Sequence, residues 1–99
     1  MVEKEQERGS IMVNNTLHLV LKSCWYDKIE SGQKTSEYRE CKPYWDKRLQ
    51  NAQYNTVVFH KGYTSTTMQF EIKSISITTQ PNDLQLPSCW EIKLGKRLD

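Results

Sequence analysis

Ninety-nine residues make one domain, because single cores usually run to about 100 to 150 residues and a second would have nothing left to bury; a large multidomain catalyst is excluded. Hydrophobic residues at 36% and charged residues at 26% exclude the disordered class and suit a globular chain with a small core. Fourteen Lys and Arg against twelve Asp and Glu leave a net charge of +2, too weak a bias by itself to announce a nucleic-acid partner.

The distribution of charge says more than its sum. Residues 22 to 61 carry eight basic and five acidic side chains, so the surplus cations sit centrally. Cys24, Cys41 and Cys89 are odd in number, form no CxxC pair and follow no secretory h-region. A disulfide framework or a cysteine-built zinc site is therefore not expected, and a reducing cytoplasm is. The apolar run Leu19 to Leu21 falls far short of the roughly 20 residues of a membrane span, so no membrane insertion is expected. A monomer is expected.

In chain order, residues 1 to 10 are charged, lack hydrophobic periodicity and end on Gly9-Ser10, which reads as a flexible tail before a single domain over 11 to 99. Leu17, Leu19 and Leu21 have the period of 2 of a strand with one buried face. Ser23 is placed to cap a helix with Asp27 in its first turn, and Trp25 and Ile29 lie four apart on one face, which assigns Trp25 to the core and points Tyr26 elsewhere. Ser31-Gly32 stops that helix.

Lys34 to Glu40 alternates as a second strand, with Glu37 and Arg39 on one side and Ser36 and Tyr38 on the other. A second short helix is expected over Cys41 to Gln50, with Pro43 in its first turn and Trp45 and Leu49 at i, i+4. Asn55 to His60 reads as a buried strand, and Thr64 to Ile77 as a long one whose apolar phase shifts, which predicts a bulge near Lys73-Ser74. Gln80 to Pro87 is an irregular connection, and Trp90, Ile92 and Leu94 supply a last strand. The expected class is α+β: a small β-barrel, closed to remove its edges, with two short helices between the early strands.

The residues that stand out chemically are Lys34, Glu37 and Arg39 in Gly-Gln-Lys-Thr-Ser-Glu-Tyr-Arg. Charges on a strand are expensive to bury singly, yet Glu37 and Arg39 share a face and are able to pair, locking the strand to the sheet. Here the sequence resembles the ASCH domains, small relatives of the PUA fold with a G-x-K-x-x-E-x-R signature, complete at Gly32, Lys34, Glu37 and Arg39. The likeness extends upstream through Leu21 to Tyr26 and more loosely downstream through Val58 to Gly62, covering roughly residues 16 to 95; only the eight-residue signature is specific.

The resemblance implies a PUA-like barrel with helices at its mouth and a cleft that takes single-stranded RNA or a nucleotide. In such a cleft Lys34 offers a mobile charge for phosphate, and Arg39, fixed by Glu37, a planar fork for phosphate or a base edge. The candidate ligand-binding set is Lys22, Tyr26, Lys34, Glu37, Arg39 and Lys61. Aromatics interleaved with Lys and Arg are what a single-stranded groove needs, since a stacked base is worth about 1 to 3 kcal/mol. His18 and His60 are able to meet but lack a partner carboxylate pattern, so neither metal nor cofactor is expected.

Two other functions compete. Some relatives of the family are ribonucleases or amidohydrolases of acetylated cytidine, which would make Lys34 catalytic. In the ribonuclease case Tyr26, His60 or Tyr63 would exchange protons. The amidohydrolase branch has a threonine where this chain has Glu37, and a glutamate in a long later insertion where the short connection from Thr78 to Ser88 offers only Asp83; that departure argues against amidohydrolysis. A protein-interaction adaptor is the third function, and it expects the signature cleft to be closed by packed side chains.

Overall fold

A computed structural model describes residues 16–99; the tail read over residues 1 to 10 and the start of the domain at Ile11 lie outside the described residues. The chain order is β1 (Thr16–Leu21), α1 (Ser23–Glu30), β2 (Ser36–Arg39), α2 (Pro43–Leu49), β3 (Thr56–Lys61), β4 (Thr67–Thr78) and β5 (Cys89–Arg97). The five strands form one mixed sheet in the order β1-β3-β4-β5-β2. β1 runs parallel to β3, with Leu17 opposite Val57 and Leu19 opposite Phe59, while the other pairings are antiparallel.

Alternation decides which face is buried. Leu17, Leu19, Leu21, Val57, Phe59, Met68, Phe70, Ile92 and Leu94 turn inward, and their burial, at about 25 cal/mol per Å² of apolar surface, is the main stabilising term. The helices cover this face with Tyr26, Ile29 and Leu49. Trp90 belongs to the same core, and its indole Nε1 donates to Asp46 Oδ1 at 2.8 Å, tying α2 to β5.

Among the described residues the sheet curls into a half-barrel and does not close. β1 and β2 are its two edges, which corrects the expectation of a closed barrel. The chain leaves β1, passes through α1, and enters β2 at the opposite end of the strand order. Between the edges the Arg39 guanidinium reaches toward the Val20 carbonyl, with Nη2 at 3.5 Å.

Two local expectations also change. Lys22, not Ser23, occupies the cap position of α1, with no side-chain cap, and no acidic residue lies in the first turn. The strand ends at Leu21 and the helix begins at once, so the Lys22 carbonyl takes the amides of Trp25 and Tyr26. The end of α1 is as read: Gly32 has φ +86°, a backbone conformation that glycine adopts without a Cβ penalty.

β4 departs from regular pairing twice, between Phe70 and Ile72 and between Ile72 and Ser74. At the second shift Ile72 sits opposite Leu94 and Ser74 opposite Lys93. Lys73 is thus the extra residue, as the change of apolar phase predicts. A bulge of this kind bends the strand and re-aims a side chain.

Candidate functional site

β2 is short, and its N-terminal end emerges from the Gly32 turn, where the Lys34 amide donates to the Lys28 carbonyl of α1 at 3.1 Å. Glu37, opposite Ile92 on β5, faces the inside of the sheet and is only 5% exposed. Burying one carboxylate alone would be costly. It is held by two cations: Arg39 Nη1 hydrogen-bonds Glu37 Oε2, and Lys34 Nζ lies 3.2 Å from Glu37 Oε1. Arg39 Nη1 also donates to the Tyr38 carbonyl at 2.9 Å, and its guanidinium lies over the Trp45 ring at 5.2 Å.

The Lys34 side chain is 8% exposed, and Nζ also hydrogen-bonds Asp83 Oδ2. Two aromatic rings flank the same ammonium, Tyr38 at 4.8 Å and Trp25 at 5.2 Å from their centroids, distances at which the ring quadrupole attracts a cation. Burial pushes the Tyr38 phenol above its ordinary value, and the Glu91 carboxylate pushes it in the same direction.

Asp83 comes from the connection between β4 and β5, which is wound around one side chain. Asn82 Oδ1 accepts the amides of Leu84 at 3.1 Å and Leu86 at 3.3 Å, while its Nδ2 donates to the carbonyls of Gln80 and Leu86. This Asx-type turn fixes the backbone. It thereby sets Asp83 and Leu84 against β2.

The result is a hollow in two adjoining parts that share Trp25, Lys34, Tyr38 and Asp83. One, of about 310 Å³, extends past Lys28 and Thr35; the other, of about 80 Å³, reaches Glu37, Arg39 and Leu84. Lys28 stands at its rim with Nζ 5.0 Å from the Trp25 ring. Within the hollow the charges balance, Lys34 and Arg39 against Glu37 and Asp83. Its larger part opens to solvent past Lys28 and Gln33, while the side chains of Lys34 and Glu37 are themselves largely buried.

Of the residues singled out from sequence, Lys34, Glu37 and Arg39 meet in this hollow. Lys22, Tyr26 and Lys61 do not line it. Tyr26 is 1% exposed and lies in the core, which corrects its placement at the binding face; burial pushes its phenol up, with Glu30 adding to the rise. Its neighbour Trp25 packs against the core as read and also lines the hollow, so of the two aromatics of α1 only Trp25 reaches the site. Lys61 pairs with Asp27 at 3.0 Å, and that hydrogen bond raises its pKa above the ordinary value. Lys22 is exposed at the start of α1.

The proton-exchanging partners suggested for a ribonuclease are also elsewhere. Tyr63 is 99% exposed, and His60 Nε2 faces His18 Nδ1 at 3.1 Å across β1 and β3. Among the described residues no group of three or more His, Cys, Asp or Glu is placed to hold a metal ion. No helix among them is long and apolar enough to cross a membrane.

Sequence reasoning missed Tyr38, Asp83 and Trp25 as walls of the hollow. The available signal was the Pro81-Asn82-Asp83 turn, which orders a loop that otherwise reads as irregular. No protein-family model matches the chain, and no curated protein sequence matches it.

Proposed function

We propose that the hollow beside β2 binds a nucleotide or a nucleotide unit of single-stranded RNA, without turnover. The observation that carries this reading is the convergence of Lys34 and Arg39 on one open hollow with the Trp25 and Tyr38 rings beside them. A nucleobase offers a flat face for an aromatic ring and a polar edge for donors and acceptors. Lys34, Arg39, Asp83 and Thr35 supply both kinds of group at fixed positions, and Glu37 holds the two cations in place. The resemblance to ASCH domains at Gly32, Lys34, Glu37 and Arg39 points to the same ligand class.

The test is a chemical-shift titration with short RNA oligonucleotides and with mononucleotides. The expected result is saturable shifts of the Trp25 indole and of the amides from Lys34 to Arg39, with Lys34→Ala weakening binding while the fold persists. Affinity for RNA falls with salt, with a log–log slope of about −0.7 per phosphate contacted. Shifts that avoid these residues, or none at millimolar nucleotide, overturn the reading.

One observation favours a hydrolytic second reading. Although the β4–β5 connection is short, its carboxylate Asp83 reaches Lys34, and a lysine beside a carboxylate is the pairing that the amidohydrolase resemblance implies. Glu37 still stands where that branch has a hydroxyl. Incubation with acetylated cytidine and with RNA decides: product formation that Lys34→Ala abolishes establishes the hydrolase, and unchanged substrate leaves the binding reading in place.

A further inference from the structure

The cations of the signature are already spoken for. Lys34 is held by Glu37 and Asp83, and Arg39 by Glu37. An incoming phosphate would have to displace a buried carboxylate from its partners, leaving that carboxylate uncompensated. A neutral, polar, flat group fits this balanced hollow better than an anion does.

Next to it lies a second groove, of about 370 Å³, which shares Thr35 and Ser36 with the hollow and continues over β5 to Lys73 and Lys93. Its one carboxylate, Glu91, accepts a hydrogen bond from the Ser36 hydroxyl at 2.8 Å. Among the described residues neither Lys73 nor Lys93 has a carboxylate partner within ion-pair distance. Lys73 is the extra residue of the β4 bulge, paired with no residue of β5, while Lys93 sits opposite Ser74 beside it and opposite Ser36 on β2. The irregularity of the strand thus brings two like charges to one concavity, an arrangement that opposes folding slightly unless an anion occupies it.

We infer that the phosphate of the bound nucleotide sits in this groove on Lys73 and Lys93, with its base in the hollow, so that base and phosphate are read by separate walls meeting at Thr35-Ser36. The inference rests on the nucleotide reading of the hollow. Its ligand class is a phosphorylated nucleoside, and a monoester of a free nucleotide and a diester of an RNA strand present the same oxygens to the lysines.

Calorimetric titration of the full chain with the common ribonucleosides, their 5′- and 3′-monophosphates and the dinucleotide ApA tests it. The expected result is that a nucleoside binds and that one phosphate tightens binding about tenfold, as charge-assisted hydrogen bonds of ordinary strength would. The double variant Lys73→Gln, Lys93→Gln removes that tenfold gain and leaves nucleoside affinity unchanged; both side chains are exposed, so the melting temperature is expected to hold. A gain with ApA but not with either monophosphate assigns the groove to RNA, and a gain with a monophosphate alone to free nucleotides. Nucleosides that bind while phosphate adds nothing, a gain that survives the double variant, or a gain that Lys34→Gln removes instead, overturn the inference and leave the nucleotide reading standing. If neither nucleosides nor nucleotides bind, both fall.

Discussion

At the edge strand β2, Lys34, Glu37, Arg39 and Asp83 lie packed together between α1 and the β4–β5 connection. At the ends of β1 and β3, Lys22, Asp27, Lys61 and Tyr63 stand largely in water. Both regions combine cations with aromatics in sequence, yet among the described residues the first lines a hollow while the second stands at the surface. An ion pair in water is worth little, because solvent screens it and side-chain entropy opposes it. Enclosed, the same chemistry becomes strong, directional and sensitive to removal of one member.

The largest effect that would break the comparison belongs to Glu37. Glu37→Ala leaves the partly buried Arg39 without its carboxylate, Lys34 keeping Asp83, and denaturant unfolding is expected to show a loss of about 3 to 5 kcal/mol; a loss under about 1 kcal/mol would remove the packed network from the account. Arg39→Ala follows, at roughly 1 to 3 kcal/mol, since Lys34 still compensates the carboxylate.

The two aromatics of α1 sharpen the contrast. Tyr26→Ala opens a cavity in the core, with an expected destabilisation of about 3 to 5 kcal/mol, whereas Trp25→Ala is expected to act mainly on ligand affinity, by about 1 to 3 kcal/mol. Thermal melts beside nucleotide titrations check both, and equal destabilisation by the two substitutions would count against the roles assigned here.

A smaller effect appears in alkali. The phenols of Tyr26 and Tyr38 are raised, chiefly by burial and then by Glu30 and Glu91 respectively, so the folded state holds their protons longer than the unfolded chain does. Their contribution is complete below the ordinary tyrosine value of about 10 and is lost as pH rises through the folded values. Tyr38→Phe is expected to flatten the fall of melting temperature above that pH. Smallest of all is Lys61→Ala, expected to leave both melting temperature and nucleotide affinity unchanged; a clear loss of affinity would extend the site to the β1–β3 end.

Much of this architecture was legible in the sequence because alternation and helical spacing are local. The leucines of β1, the Gly32 stop, Pro43 at the start of α2 and the phase change at Lys73 each state their own conformation. Trp25 and Tyr26 show where locality ends. Trp25 lies four residues before Ile29 and Tyr26 three before it, so both spacings put an aromatic beside the buried isoleucine, and only the tilt of α1 on the sheet decides between them. The Lys34–Asp83 contact spans 49 residues, and no pattern along the chain encodes it. Closure of the barrel was misread for a related reason. Strand count is visible in sequence, but the crossover from β1 through α1 to β2, which leaves those two strands at opposite ends of the strand order, is not.

That crossover also dictates an order of assembly. Thr16 and Thr56, partners at the start of the parallel pair, are 40 residues apart, and among the described residues β1 has no other neighbour in the sheet. Its ladder forms only after that long segment has been gathered, an entropic barrier that β3, β4 and β5, each paired with the next in sequence, do not face. The antiparallel meander is therefore the natural nucleus. β1 and its leucines dock onto it late, and the hollow beside β2, which needs α1 in place, is among the last parts of the molecule to exist.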